Sequence, residues 1–468
     1  MDTTSIYIII GIALTFLAMG AVGVIAMRNV KSSKDFTVAG KKASPIMIAG
    51  AITGSCVGAG DTIGTAETAF KMGIVGWWQT LGIGIGCLLL GLVLSQAIYK
   101  SNVETAPGLL EKTYGSKIRP VTAVFSSIAI FMSLLSQTKG FLPLLTSFVP
   151  VSLTVAAVIC VVLVLVFVVF GGVFATSLGG VLKIFLILGF MLVGAVIAVV
   201  GMGGFSGMAQ SFEFNPWFNL FSRGVGKDSA IGLGFILGVL VTQTYIQAVL
   251  SAKDPKGARN GCILSFFFTL PVGLLGVAVG LYMRQNFPDI VASQALPQFM
   301  IHVFPPVIAG IALGALMLAA LGSNAGLALG ISTMLGRDLY KRFRKNADDK
   351  EMLIVLRVML IIIVALGGVF AVSKAGELIQ TFIFLSYGMR TTVFLIPMLF
   401  AFYYKGRLTP AAGMAAVLAG PLVNIFWNLA KPNGWDPIYP GLAAALIAFV
   451  VANEIAKRRT PIQSENKA

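Results

Sequence analysis

The stretch GSCVGAGDTIGTAE, residues 54–67, decides the fold. It interrupts an apolar segment that is long enough to cross a bilayer, with four glycines in eleven residues and a carboxylate, Asp61, beside them. Glycine disfavours helix, and a carboxylate in hydrocarbon is costly unless it is paired or hydrated. We predict a discontinuous helix near the membrane midplane, whose freed carbonyl groups can hold a cation and whose broken ends can face a solute. A continuous helix that packs closely through its glycines is the simpler alternative.

The composition of the whole chain points to the same environment. Of its 468 residues, 57% are hydrophobic and only 11% are charged, whereas soluble domains carry roughly 25% charged residues. A water-soluble globule cannot bury this much apolar surface. A soluble enzyme, a secreted disulfide scaffold and a disordered chain are therefore excluded, and the lipid bilayer is a predicted partner.

Apolar segments recur along the chain, and each is long enough to span a bilayer core of about 30 Å. We therefore predict an all-α integral membrane protein with about 13 transmembrane helices. The thirteen segments are 6–27, 44–70, 73–99, 120–147, 150–170, 172–201, 229–252, 261–283, 305–334, 353–373, 378–404, 409–428 and 438–456.

The net charge of +16 marks the orientation of these segments. Of the 34 basic residues, 24 lie in one set of alternating loops and in the C-terminal tail, 6 lie in the opposite loops, and 4 lie inside the segments. The positive-inside rule assigns the richer set to the cytoplasm. We predict a multi-pass protein of the cell membrane with its N-terminus outside and its C-terminus inside, and we predict no nucleic-acid partner.

The residues that usually carry enzyme chemistry are scarce. Four cysteines lie in or at the ends of apolar segments without paired spacing, which favours packing over a disulfide or a metal site. The one histidine, His302, lies in a predicted external loop. No nucleophile–base set or metal cluster is present in the sequence, so we predict neither an enzyme nor an organic cofactor.

Four ionisable side chains inside the apolar segments are functional candidates because burying a charge in a membrane is costly. They are Asp61, Lys139, Lys183 and Arg390. Asp61 can serve as an ion, proton or solute site, or it can form a structural ion pair with Lys139 or Arg390. Lys139 and Arg390 can instead meet an anionic group of a solute.

Two glutamines in the apolar segments, Gln79 and Gln243, are further candidates for lining a solute pocket. Hydrogen bonding between neighbouring membrane helices explains them equally well. Both readings stay open at the level of the sequence.

The chain resembles the sodium:solute symporters, which include sodium-coupled proline, sugar and sialic acid carriers. The likeness runs from about residue 30 to about residue 420 and is specific only through its combined motifs. They are SSKDFTVAGKK at 32–42, GAGDTIG at 58–64 followed by GIVGWW at 73–78, TQTYIQAVLSAKDPKGARNG at 242–261, and ALMLAALGSNAGLALGISTMLGRDLYKRF at 315–343.

The resemblance implies a LeuT-like fold of two inverted five-helix repeats. The hydropathy pattern fits it independently, because two five-span blocks of opposite orientation follow the first span and the first block opens on the broken segment. The implied organisation is an N-terminal helix and cytoplasmic loop in 1–43, repeats in 44–201 and 229–404, and two C-terminal helices with a tail in 405–468.

The resemblance also implies a sodium site between the second and ninth spans. Its members at the matching positions are Ala59, Thr62, Ala319, Gly322 and Ser323. Asp61 falls where the proline carriers have a carboxylate that is important for sodium.

The second sodium site of some family members is predicted to be absent. Gly180 stands where those members have an acidic residue, and Lys183 stands where they have a glutamine. Lys183 can act as a built-in cation or exchange a proton, as buried lysines can.

The implied function is sodium-coupled symport of a small organic solute by alternating access. Lys139 and Arg390 favour an anionic, carboxylate-bearing solute, because sialic acid carriers resemble this chain in placing a basic residue on the same core helix. The alternative is proton-coupled transport or exchange through Asp61 and Lys183. A transporter-like sensor is a further class, although the tail after Lys457 is short for a signalling domain.

Overall fold

The computed structural model describes residues 3–27, 42–101, 103, 105–169, 172–374, 376–404, 406–430 and 434–459. The predicted motif at 32–42 lies outside the described residues except for Lys42, as does the tail after residue 459. Throughout the described part the chain is helical apart from turns and one isolated parallel β-bridge between Ala43 and Ala252. The prediction of an all-α membrane protein is confirmed.

The α-helices are numbered α1 to α21 in chain order. They are α1 Thr3–Met27, α2 Pro45–Cys56, α3 Ala59–Met72, α4 Trp78–Leu89, α5 Ser95–Lys100, α6 Ala106–Tyr114, α7 Ile118–Thr146, α8 Leu153–Val169, α9 Gly172–Gly201, α10 Gly204–Ser211, α11 Phe214–Trp217, α12 Val225–Leu240, α13 Gln243–Leu250, α14 Pro255–Asn286, α15 Ala295–Val303, α16 Pro306–Met334, α17 Lys341–Phe343, α18 Asp349–Ser373, α19 Ile379–Tyr403, α20 Pro410–Ala430 and α21 Ile438–Arg459.

Eleven helical stretches in the described part are long and apolar enough to cross a membrane. Two shorter apolar helices, Pro45–Cys56 and Leu153–Val166, lie within predicted segments 44–70 and 150–170. Each of the thirteen predicted segments coincides with helix, but α3 continues into the next stretch as Ala59–Lys100. The figure of thirteen separate spans remains a prediction.

The discontinuity predicted for residues 54–67 is present. Helix α2 ends at Cys56 and α3 begins at Ala59, and Gly58 between them has an extended backbone. A second break separates α12 from α13 at Val241 and Thr242. These broken helices are the first helices of the two predicted repeats, which is the arrangement that places a binding site at the midplane of such transporters.

Small residues bring the broken helix α2–α3 close to its neighbours. A Cβ atom at Gly180 of α9 would lie 2.0 Å from the carbonyl oxygen of Gly50 in α2, and one at Gly140 of α7 would lie 2.2 Å from the Cβ of Ala59 in α3. Side chains larger than hydrogen would separate these helices. Helices α7, α9 and α16 therefore enclose the break on several sides.

The cytoplasmic ends of the two broken helices, as the charge pattern orients them, are tied together by backbone hydrogen bonds. The amide of Ala43 donates to the carbonyl of Ser251 at 3.0 Å, and the amide of Lys253 donates to the carbonyl of Ala43 at 3.1 Å. The start of α2 and the end of α13 are thus joined at one end of the bundle. Helix α1 packs on α16, and α20 and α21 pack on each other.

Candidate functional site

Asp61 lies in the first turn of α3 and is fully buried. Its carboxylate accepts a hydrogen bond from the amide of Gly58 at 3.2 Å and another from Nε2 of Gln79 at 2.8 Å. No ion pair joins Asp61 to Lys139, Arg390 or any other described residue. A charge near the N-terminus of a helix, with two donors, can persist without a cationic partner.

Arg390 in α19 is the largest of the fully buried side chains and is 1% exposed. Its Nη1 donates to Thr242 Oγ1 at 2.8 Å, and its Nη2 donates to Ser133 Oγ and Ser386 Oγ at 2.6 Å each. Its partners are hydroxyls and a carbonyl, and no described carboxylate pairs with it. The guanidinium is therefore solvated by the protein but keeps its charge uncompensated.

Two tyrosines that sequence reasoning did not select lie beside Arg390. The hydroxyl groups of Tyr245 and Tyr387 are 2.5 Å apart, and the guanidinium carbon of Arg390 lies 4.3 Å from the ring centroid of Tyr387. Thr242 lies in the break between α12 and α13, and Tyr245 follows it. The sequence analysis did not select these tyrosines because it did not predict this break, where the sequence contains neither a glycine cluster nor a carboxylate.

Tyr245, Tyr387, Arg390 and Asp61 line one small cavity of about 10 Å³, here called the central cavity. The structure brings together Asp61, Gln79 and Arg390 of the predicted residues. The Oε1 atom of Gln79 is buried there without a hydrogen-bond partner. The full lining is Ser55, Cys56, Asp61, Gln79, Ile83, Ser133, Gln137, Tyr245, Leu327, Ile383, Tyr387 and Arg390.

A larger cavity of about 300 Å³ adjoins the central one, and Gln79 lines both. Arg223, Lys227 and Leu378 lie on its wall, in or next to loops that the charge pattern assigns to the external side. Arg223 pairs with Asp228, whereas no ion pair of Lys227 is present among the described residues. This outer cavity leads from the predicted outer face toward Gln79 and Asp61.

Lys139 is placed away from the central cavity. Its ammonium donates to the carbonyls of Lys374 and Glu377, the latter at 2.5 Å, and lies 4.8 Å from the ring centroid of Phe382. These contacts hold the connection between α18 and α19. The neighbouring Gln137 lines the cavity instead, and its Oε1 accepts the amide of Ala59 at 2.7 Å.

Gln243 also serves a connection between helices. Its Oε1 accepts the amide of Ala106, at the start of α6, at 2.7 Å. It is absent from the lining of the central cavity. The contact fits the interhelical alternative that the sequence left open.

Lys183 of α9 reaches the end of α2. Its Nζ donates to the carbonyl of Gly54 at 2.5 Å, the carbonyl of Ala319 at 3.1 Å and Oγ of Ser323 at 3.1 Å. Lys183 is 3% exposed and forms no ion pair with any described residue. Its ammonium thus occupies the space between the broken helix and α16.

The broken helix explains why the carbonyl of Gly54 is available. In a continuous helix this carbonyl would accept the amide four residues later, that of Gly58. That amide instead donates to the carboxylate of Asp61. The Gly54 carbonyl is left for Lys183 and for the hydroxyl of Ser323, which donates to it at 3.1 Å.

Of the five predicted sodium ligands, the structure brings Ala319, Gly322 and Ser323 together beside Lys183. A Cβ atom at Gly322 would lie 3.9 Å from the ammonium. The amide of Ala59 donates to Oε1 of Gln137, the hydroxyl of Thr62 donates to the carbonyl of Gly58 at 2.9 Å, and neither residue is a hydrogen-bond partner of Lys183. The carbonyl that faces α16 belongs to Gly54, five residues before Ala59.

A third cavity, here called the inner cavity, has a volume of about 30 Å³, and Ser55 lines both it and the central cavity. Oγ1 of Thr244 and Nε2 of Gln247 are buried in this region without hydrogen-bond partners. Gly54 and Gly322, two of the residues around Lys183, lie on its wall. The lining is Ala51, Gly54, Ser55, Thr244, Gln247, Ala248, Gly322, Gly326 and Leu329.

Comparison with known sequences identifies the family to which this chain is similar. The model of the sodium:solute symporter family matches residues 36–420. The osmoregulated proline transporter of Bacillus subtilis is 23% identical, over 97% of this chain and 96% of the relative. The sodium/pantothenate symporter of Escherichia coli is 24% identical, over 92% of this chain and 93% of the relative.

Comparison with solved structures supports the fold. A Na⁺-coupled sialic acid symporter in a substrate-bound outward-open state superposes with a TM-score of 0.80, at 14% identity and 98% coverage of both chains. The nucleobase-cation-symport-1 family transporter Mhp1, in a closed conformation, gives a TM-score of 0.58 at 16% identity, over 93% of this chain and 98% of that chain. The predicted LeuT-like fold is confirmed.

Proposed function

Because the chain belongs to the sodium:solute symporter family, we propose that it moves a small, carboxylate-bearing solute across the cell membrane by alternating access. The family consists of membrane symporters of small solutes, so the protein is a multi-pass transporter and not an enzyme. Sodium is the coupling ion that the family's name gives. The class of solute is inferred from the charges around the central cavity.

Arg390 is the observation that carries this proposal. It lines the central cavity, is almost fully buried and lacks a carboxylate partner among the described residues. An uncompensated buried charge is costly, and a carboxylate on a bound solute would compensate it. Nη1 makes one hydrogen bond, to Thr242, so one of its two N–H groups remains available to a solute.

Asp61 makes a zwitterionic solute the first class to test. It lines the same cavity and forms no ion pair with any described residue, while its two hydrogen bonds come from an amide and a glutamine. An amino group is a fitting partner for this carboxylate, and a carboxylate is a fitting partner for Arg390. The proline transporters among the relatives support an amino acid as the first probe.

The arrangement of cavities supports alternating access. The central cavity lies between the outer cavity, which it meets at Gln79, and the inner cavity, which it meets at Ser55. The breaks in α2–α3 and α12–α13 lie beside it. Rocking of one repeat against the other would open the central cavity first to one side and then to the other.

Two coupling modes fit this movement, symport with sodium and exchange of solutes without sodium, and one specific contact favours exchange. The ammonium of Lys183 lies against the residues that the family pattern assigns to sodium. Both modes share the same solute cavity and the same alternating-access movement. They differ in whether an ion crosses the membrane with the solute.

The test is a thermal-stability screen of the purified full-length protein with L-proline, pantothenate, sialic acid and glucose. A bound ligand raises the free energy of unfolding by about 2.7 kcal/mol at a hundred times its Kd. L-Prolinamide, which lacks the carboxylate, is the matched control for proline. We expect stabilisation by at least one of the acids and none by glucose or by prolinamide. Stabilisation by glucose alone, or equal stabilisation by proline and prolinamide, would contradict a carboxylate site.

A further inference from the structure

We propose that the ammonium of Lys183 permanently takes the place of the coupling metal ion between α2 and α16. The chain then carries its own cation where the family pattern expects sodium. The consequence for transport rests on the proposed function, but the occupancy of the cation position does not.

The contacts of Lys183 satisfy an ammonium group completely. An ammonium has three N–H donors and no acceptor, and Lys183 has three acceptors within hydrogen-bond distance. They are the carbonyl oxygens of Gly54 and Ala319 and the hydroxyl oxygen of Ser323. Oxygens of these kinds are also the ligands that a hard metal cation prefers.

The space between these oxygens is already filled. The Nζ atom lies between 2.5 and 3.1 Å from all three, so a metal ion bound to the same oxygens would lie in direct contact with the ammonium. Two positive charges at such a separation in a buried site repel each other strongly. Lysine and sodium therefore exclude each other here.

The packing of α9 against α2 leaves no room for a carboxylate side chain at position 180. Gly180 stands one turn before Lys183, and a Cβ atom on it would meet the carbonyl oxygen of Gly50 at 2.0 Å. The titratable groups that face the ammonium are the thiol of Cys56 at the end of α2 and the carboxylate of Asp61 in α3. Helix α16 contributes no titratable side chain to its surroundings.

A tethered cation changes what the ion position can do. Sodium that enters with a solute leaves on the other side and releases the free energy of its gradient. The ammonium of Lys183 is bound covalently to α9 and cannot leave. It holds α2 to α16 without transferring energy, so a sodium gradient drives no transport through this position.

Sodium binding can be tested without any solute. The melting temperature of the purified full-length wild type is measured in increasing NaCl against N-methyl-D-glucamine chloride at equal ionic strength. We expect no sodium-specific shift for wild type. In Lys183→Ala the three oxygens are released, and we expect a saturable upward shift that is specific to sodium and is lost in Lys183→Ala/Ser323→Ala. Lys71→Ala, which removes an exposed lysine at the end of α3, is the matched control and should behave as wild type.

Each outcome of this measurement decides for or against the proposal. A saturable, sodium-specific shift in wild type would overturn it. So would the absence of any sodium response in a folded Lys183→Ala, because these oxygens would then not form a cation site. If Lys183→Ala does not fold, Lys183→Met replaces it, and the wild-type titration alone remains able to refute the proposal. A negative screen for solutes would leave this result unaffected, so failure of the proposed function is distinguishable.

Discussion

At the scale of single residues, three buried charges define the centre of the molecule. Asp61, Lys183 and Arg390 are each solvated by hydroxyls, amides or carbonyls, and no described pair of them forms an ion pair. Such charges are expensive to bury unless hydrogen bonds replace their water. Their hydrogen bonds explain how they are tolerated, and the lack of a close ion pair for each of them among the described residues explains why they are assigned to function.

Arg390→Lys tests the residue that is assigned to the solute carboxylate. Lysine keeps the charge but loses the planar fork that contacts Thr242, Ser133 and Ser386. We expect the affinity for the stabilising acid to fall at least tenfold, which corresponds to about 1.4 kcal/mol. Ligand titrations followed by thermal stability measure it. Arg357→Lys on α18, where the side chain is exposed, is the control and should keep wild-type affinity. Equal affinities in both variants would remove Arg390 from the solute site.

The sequence identified these charged residues but could not give their partners. A charged residue in an apolar segment is visible in the sequence wherever it occurs, so Asp61, Lys183 and Arg390 were predicted as candidates. Which side of a helix each one faces depends on tertiary packing. For this reason Lys139, which equally interrupts an apolar segment, was expected at the solute but contacts the loop carbonyls of Lys374 and Glu377.

At the scale of helices, the break between α2 and α3 organises the site. It frees the carbonyl of Gly54, and it turns the amide of Gly58 toward Asp61. Its glycines made it predictable from sequence. The break between α12 and α13 was not predicted, because Val241 and Thr242 are ordinary helix residues and only the tertiary structure turns the chain there.

The sequence also could not predict which backbone carbonyl of the broken helix faces α16. Family matching placed the ion ligands at Ala59 and Thr62, whereas the carbonyl that meets α16 is that of Gly54. In a stretch with four glycines, several alignments place a glycine or alanine at each position equally well. The assignment of Ala59 and Thr62 to sodium remains a prediction, and the hydrogen bond from Ser323 places the Gly54 carbonyl beside α16.

Gly180→Ala tests the close packing of α9 on α2. The added Cβ would lie 2.0 Å from the carbonyl oxygen of Gly50 and 3.1 Å from the Cα of Gly54, so the helices must separate. Overpacking of this kind costs about 1–3 kcal/mol, and we expect a lower melting temperature in detergent. Gly189→Ala adds the same atom to the same helix in open space. It should leave the melting temperature at or above the wild-type value, and equal destabilisation by both changes would contradict the packing.

At the scale of the whole molecule, the charge pattern and the fold agree on a transporter crossing the membrane many times. The family match over residues 36–420 establishes the family, and the TM-score of 0.80 to a sialic acid symporter establishes the fold. The fold is predictable because thirteen predicted apolar segments, which include two five-span blocks of opposite orientation, are compatible with few arrangements of helices. The solute is not, because it depends on a handful of side chains in one small cavity.

The orientation of the molecule is a separate prediction. With 24 basic residues on one side and 6 on the other, we expect the C-terminus in the cytoplasm. A C-terminal green fluorescent protein fusion, expressed in bacteria, should fluoresce, and a C-terminal alkaline phosphatase fusion should be inactive. Fusions to a loop near Lys227 should give the opposite pair of results. An active phosphatase at the C-terminus would reverse the topology.

The central claim is that solute crosses through the Arg390–Asp61 cavity while Lys183 stands in for sodium. Its most direct test is uptake of the stabilising solute, in labelled form, into proteoliposomes with and without an inward sodium gradient. We predict equal initial rates in both conditions, acceleration by unlabelled solute inside, and no accumulation above the external concentration in vesicles that contain no unlabelled solute. Sodium-stimulated uptake that concentrates the solute inside the vesicles would contradict this account.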